Sequence, residues 1–227
     1  MKFGPVPLEE AGGAILAHSL RLADGRLGKG TVLDAQALAR LRAAGLSSVT
    51  VARLEAGDLG EDEAATRVAA HVAGTGVRVE APATGRVNLF AAHGGLLSID
   101  AAGVDALNLI DPAITLATLD NRRPVVEGEM VATVKIIPYA VAAAKVEAAV
   151  AAAGRLVSVR PWRGRPVGVV QTRVEGTLDK MLDKTARVLA ARLEASGSTI
   201  AGEWRVAHEA GAVAGAIAEA RKAGAEM

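Results

Sequence analysis

Apolar and polar positions follow two different rhythms along the chain, and the places where the rhythm changes suggest its divisions. Through the first sixty residues, short strand-like runs (Ile15 to Leu22, Thr31 to Leu33, Ser48 to Leu54) frame one helix that starts after Asp34. An aspartate there accepts hydrogen bonds from the free N–H groups of a first helical turn. Leu38 and Leu41 follow at helical spacing, and Gly45 stops the helix. After Gly57 the acidic run Asp58-Leu59-Gly60-Glu61-Asp62-Glu63 leads into an alanine-rich helix ending near Gly74, its carboxylates at the positive end of the helix dipole. From Val77 to Tyr139 the pattern is one of short strands broken by glycine and proline, with one short helix at Asp100 to Leu109. This predicts a small β barrel or clip-like unit. Pro138 to Ala153 reads as a helical connector, and Arg160 to Pro166 as a linker.

The last third has a different character. Val167-Gly168-Val169-Val170-Gln171-Thr172 is an apolar run ending in polar residues, the pattern of a strand buried on both faces of a parallel sheet. A turn at Gly176 follows, and Thr177 is placed to cap a helix in which Leu178, Met181, Leu182, Thr185, Val188, Leu189 and Leu193 recur at i, i+3, i+4 and i+7. Thr199 to Val206 predicts a second strand, Glu209 to Ala223 a second helix with Gly224 just past its end, and Ala225-Glu226-Met227 the start of a third strand. The fold class expected is therefore α/β together with β. An α+β unit spans 1–76, a β-rich unit 77–139, a connector and linker 140–164, and 165–227 forms the first half of an open parallel-sheet domain. A third strand cut at its first residues would leave an open sheet edge, so the chain is expected to be the N-terminal part of a longer protein.

Composition narrows the chemistry. Hydrophobic residues make up 51% but aromatic ones only 2%, so the core must be assembled from small aliphatic pieces. Lysine plus arginine number 26 against 25 acidic residues, which leaves no global field to gather nucleic acid or an anionic membrane. Without cysteine, and with His18, His71, His93 and His208 scattered singly, there is no disulfide framework, thiolate or built-in catalytic metal centre. No signal-peptide pattern and no strongly apolar stretch of about 20 residues is present, so a cytoplasmic location is expected. Arg160, Arg163 and Arg165 around Trp162 read as a solvated linker, the Asp58 to Glu63 carboxylates as helix-start stabilisers, and His208 as a capping or surface residue.

In an open parallel sheet ligands bind beyond the carboxyl ends of the strands, which puts the candidate site at Gln171 to Lys184. Helix N-terminal amides after Gly176 could hold a phosphate, with Lys180 and Lys184 four residues apart on one side of the helix. Asp179 and Asp183 share that surface, and the four charges equally describe a solvated face with i, i+4 pairing.

The run Val167 to Thr172, the segment Leu182-Asp183-Lys184-Thr185, the helix to Gly197 and the strand to His208 resemble the first half of a molybdopterin-binding domain. That domain belongs to molybdenum cofactor biosynthesis proteins, including molybdopterin molybdotransferases and adenylyltransferases. Phe3-Gly4-Pro5-Val6-Pro7-Leu8, Gly57 to Ala65 and Val131 to Pro138 resemble the N-terminal part of a bacterial group of such proteins, so the resemblance covers nearly the whole chain. It implies a molybdopterin-binding protein acting in metal insertion or nucleotide attachment, with Mg²⁺ and ATP or CTP as further ligands. A homo-oligomer and molybdoenzyme partners are expected with it. The alternative is a non-catalytic pterin- or nucleotide-binding or oligomerisation module. By the resemblance, Thr172 contacts the ligand at the strand end with Gln171 beside it, while Asp183 is the catalytic candidate and Lys184 the phosphate neutraliser on the first helix. Lys180 joins them through its spacing. Where the family carries Thr-Gly-Asp-Glu-Leu, this chain has Thr172-Arg173-Val174-Glu175-Gly176 and keeps only the threonine. Ala81-Pro82-Ala83-Thr84-Gly85 and Glu127 to Val131 also resemble half of a biotinyl or lipoyl barrel. Attachment there needs a lysine at a hairpin tip, and Lys135 falls inside the strand pattern instead, so the β unit is expected to serve oligomerisation.

Overall fold

In the computed structural model, which describes residues 1–227, the N-terminal elements are β1 (Lys2–Pro7), β2 (Ile15–Leu16), β3 (Leu20–Leu22), β4 (Gly25–Leu27), α1 (Ala35–Ala43) and β5 (Ser48–Arg53). The Asp34 carboxylate accepts from the Ala37 N–H at 2.7 Å, as its position predicts. β5 lies between β1 and β2, antiparallel to both. Leu16, Leu33, Leu41 and Val51 close the core beneath them. The run Ile15 to Leu22 is not one strand, because it breaks at His18-Ser19 into β2 and β3, and Thr31 to Leu33 contributes a single bridge, Val32 to Ile15.

A second core gathers β6 (Asp58–Gly60), α2 (Glu61–Val72), β7 (Val77–Val79), β8 (Arg86–Ala91), β9 (Gly95–Ile99), α3 (Ala101–Asn108), β10 (Ile114–Thr118), β11 (Pro124–Val125), β12 (Met130–Ile136), β13 (Ala140–Ala142), α4 (Ala143–Ala152) and β14 (Val157–Pro161). The expected barrel does not close. The sheets β10-β12-β8-β7 and β11-β9-β14 stay separate. The physical reason is α2, whose Ala64, Ala65, Val68, Ala69 and Val72 are fully buried against β8 and β12. A sheet that buries its apolar face on a helix has no need to curl onto itself. The connector predicted at Pro138 to Ala153 begins with a strand, β13, paired to β6 before α4 starts, and the first residues of the predicted linker complete β14. Lys135 lies inside β12, opposite Thr115 and Arg86.

The chain forms two units, Met1–His93 with Leu97–Val159 and Arg160–Met227 with Gly94–Leu96. The second contains β15 (Pro166–Arg173), α5 (Asp179–Glu194), β16 (Thr199–Ala207) and α6 (Ala210–Lys222), with β15 and β16 parallel as predicted. Arg165 and Arg173 carbonyls accept from Thr199 and His208 on the β16 side, each at 3.1 Å. The intervening even positions bond the other way: Glu226 donates to the Pro166 carbonyl at 2.9 Å and Gly168 donates to the Met227 carbonyl at 2.8 Å. Alternate residues of a strand bond to opposite neighbours, so residues 226–227 run along the edge of β15 that β16 leaves open.

Side chains alternate in the same way. Gln171 reaches the Leu182 carbonyl of α5, whereas a Cβ built on Gly168 would stand 2.8 Å from the Ala220 Cβ of α6. The two helices therefore cover opposite faces. This is what right-handed crossovers give when one connection leaves β15 for β16 and the next returns past β15.

Two expectations fail in this unit. Thr177 does not cap α5, which begins at Asp179 after Leu178 without a side-chain cap. Its hydroxyl instead accepts from the Val174 N–H at 3.0 Å and closes the turn at Gly176, whose φ is +82°. Of the predicted apolar stripe only Leu182 is buried. Leu178, Met181 and Val188 are 52%, 57% and 44% exposed, because two strands are too narrow to cover a stripe that wide. No helix in the chain is long and apolar enough to cross a membrane.

Two glycines give opposite predictions for urea unfolding. Gly168→Val drives a branched side chain into Ala220 and is expected to destabilise by about 1–3 kcal/mol. Gly215→Ala, in α6 with open space at its Cβ, should stabilise by roughly 0.5–1 kcal/mol.

Candidate functional site

The β15–α5 and β16–α6 loops leave the carboxyl ends of two adjacent strands toward opposite faces, the place where open parallel sheets bind ligands. Thr172 and His208 meet there, Oγ1 to Nδ1, at 2.9 Å. The His208 N–H donates to the Arg173 carbonyl and fixes the residue at the end of β16, with the imidazole exposed and Thr172 half-buried. A hydroxyl and an imidazole can each donate or accept, so the pair can match a ligand edge carrying either kind of group. α6 begins beside it, after Glu209, without a side-chain cap.

The α5 face holds a different arrangement. Gln171 is 9% exposed, and its amide donates to the Leu182 carbonyl at 3.0 Å and to Glu203 Oε1 at 2.7 Å. The same Glu203 oxygen accepts from Arg205 Nε at 2.5 Å. Arg205 Nη2 continues to Asp183 at 2.6 Å and Nη1 to Asp179 at 3.5 Å, and Arg173 reaches Asp179 at 2.5 Å. The set assembles because 171, 173, 203 and 205 are odd positions on paired strands, all facing α5. The Arg205 guanidinium, helped by the Gln171 amide, holds the Glu203 carboxyl below the usual range. Arg173, then Arg205, do the same for Asp179, and Arg205 is itself pushed up by Glu203 and Asp183.

The five residues singled out from sequence are thus divided. Thr172 and Gln171 are neighbours in β15 and so point to opposite faces, the first with His208 and the second inside the ion-pair network. Asp183 joins Gln171 through Arg205 and Glu203. Lys180 and Lys184 are exposed and make no ion pair, since Asp179 and Asp183 turn to arginines of the sheet, and the i, i+4 pairs among these four residues join like charges. Arg173, Glu203, Arg205 and His208 were not foreseen as members. The polar alternation Glu203, Arg205 at the end of an otherwise mixed strand was the available signal.

The other charged clusters have structural partners. Asp58 takes the Met1 ammonium at 2.7 Å, Asp62 accepts from the Gly85 N–H at 2.7 Å and Glu63 pairs with Arg67 at 2.7 Å. Glu61 is pushed up by burial and by Asp62, against the pull of Lys29. Arg165 of the predicted linker pairs with Glu226 at 2.7 Å. No group of three or more His, Cys, Asp or Glu is placed to hold a metal ion.

A family described as a domain of unknown function (DUF8806) matches residues 5–53, a segment that coincides with the first hydrophobic core and ends before α2. No curated protein matches the chain, and no solved structure does.

The network makes stability depend on pH. Glu203 and Asp179 have lowered carboxyl pKa values in the folded chain, so their contribution is complete above their ordinary values of 4.5 and 3.8 and is lost as pH falls through the folded ones. Arg205→Met leaves the Glu203 and Asp183 carboxylates without a cation, while Asp179 keeps Arg173. Its stability deficit should be widest near neutral pH and shrink as pH drops below 4.5, the ordinary value for Glu203, read as urea midpoints over a pH series. A deficit that stays constant down the series would contradict the network.

Proposed function

We propose that this chain binds molybdopterin and acts in molybdenum cofactor biosynthesis, where such binding serves metal insertion or nucleotide attachment. The observation that carries the reading is the Thr172–His208 pair at the carboxyl end of a parallel strand pair whose following loops diverge. Support comes first from chemistry. A pterin ring presents a row of donors and acceptors, which a hydroxyl and an imidazole can meet, and its phosphate calls for cations without carboxylate partners. Lys180 and Lys184 answer that description, while Arg173 and Arg205 do not. Support comes also from the sequence, in which Thr172 keeps the threonine at the strand end of the molybdopterin-binding domain that the segment resembles.

One observation favours the second reading, a pterin- or nucleotide-binding module without turnover. Asp183, the residue with a catalytic role by resemblance, is held by Arg205 at 2.6 Å. Service as a base, or in holding Mg²⁺ beside ATP or CTP, would first require releasing that bond.

Titration of the chain with molybdopterin, followed by fluorescence, is expected to show saturable binding that Thr172→Val and His208→Gln each weaken about tenfold, the loss that goes with one hydrogen bond of roughly 1.4 kcal/mol. Lys184→Ala and Lys180→Ala should weaken binding and flatten its salt dependence. Absence of binding, or variants that bind like the parent, would defeat the proposal. Pyrophosphate release on addition of ATP or CTP would assign an enzyme, and binding without release the module.

A further inference from the structure

We propose that the solvent face of the β3–β4 hairpin is a binding site for a phosphate group, bracketed by the guanidiniums of Arg21 and Arg26. The hairpin pairs Leu20 with Leu27, Arg21 with Arg26 and Leu22 with Gly25. Leu27 is buried and Leu20 and Leu22 pack on the first core, so the two arginines share the opposite, exposed face. Residues directly opposite on antiparallel strands have Cβ atoms about 4.5–5.5 Å apart, and like charges there destabilise the pairing.

The ordinary remedy is a neighbouring carboxylate, and none serves. Asp24, in the turn itself, is taken by Arg40 through two bonds of 2.7 and 3.0 Å. The Arg21 side chain has no hydrogen-bonding or ionic partner. Arg26 donates to Ser19 Oγ at 2.8 Å, a neutral group that orients the guanidinium without compensating its charge. Ser19 is itself held by the Lys29 N–H at 2.9 Å. The Lys29 ammonium lies 5.4 Å from the centre of the Tyr139 ring and acts on Glu61, so it is not counted in the site.

Two planar, five-donor forks rising from directly paired positions, one already oriented and both uncompensated, match the oxygens of a phosphate better than those of a single carboxylate. Binding would remove the like-charge repulsion built into the hairpin, whereas arginines that are merely solvated gain nothing specific from an anion. The site falls within residues 5–53 and does not rest on the molybdopterin reading.

The test is thermal unfolding of the chain at constant ionic strength, with chloride exchanged for inorganic phosphate or pyrophosphate. At about ten times the dissociation constant the parent should melt roughly 3 °C higher. Arg21→Glu creates an opposite-charge pair with Arg26, so it should melt about 1–3 °C higher than the parent in chloride and show no further rise in phosphate. Arg21→Gln and Arg26→Gln remove one fork without creating a new pair, and each should lose most of the phosphate-dependent rise while keeping the circular dichroism of the parent. An equal rise in the parent and in all three variants would mean general salt stabilisation and overturn the site. So would a parent that does not respond, or an Arg21→Glu variant that folds like the parent and melts below it in chloride.

Discussion

Parallel pairing of β15 with β16 sets the geometry of the second unit. A parallel partner cannot be reached by a tight turn, so the chain must cross over one face, and α5 is that crossing. The next connection runs back past β15 to its far edge, where residues 226–227 are bonded, and the same handedness sends α6 over the other face. The diverging loops and the meeting of Thr172 with His208 follow from this one constraint. So does the separation of Gln171 from Thr172.

The charged residues on the α5 face act as a clamp on that crossing. Arg205 gives each of its nitrogens to a different carboxylate, two of them from α5 and one from its own strand. Gln171 ties the neighbouring strand, β15, to the α5 backbone. Removing Arg205 would leave Glu203 and Asp183 facing like charge, so these contacts act as a set and not as separate pairs. It also means that the acidic groups with a catalytic appearance in the sequence are occupied within the fold.

Much of the backbone was legible in the sequence and little of this side-chain pairing was. Helix starts at Asp34 and Asp100, the strand through Val169 and the second strand at Thr199 follow from capping and periodicity, which are local, although burial along the first strand alternates instead of holding on both faces. The barrel expected from 77–139 failed because strand patterns do not say what will cover them, and here the cover is α2, a helix built of alanine and valine. The cap expected at Thr177 failed because a threonine hydroxyl serves a turn as readily as a helix start. Of Asp179, Lys180, Asp183 and Lys184, only Lys180 and Asp183, three apart, look paired by spacing alone. Only the strand register brings Arg173 and Arg205 closer to those aspartates.

A net charge of +1 conceals two kinds of arginine. Arg205 is surrounded by acceptors, and its charge is balanced where it stands, so its contribution is to position. Arg21 and Arg26 face each other across a hairpin whose turn carboxylate belongs to Arg40, and their charge is balanced nowhere in the fold. With apolar burial supplied mostly by alanine, valine and leucine, the first core has no great surplus with which to offset repulsion at its surface. An uncompensated pair in such a place is therefore more informative than the same two residues on a thickly packed domain, since the fold tolerates a cost that an anion would remove.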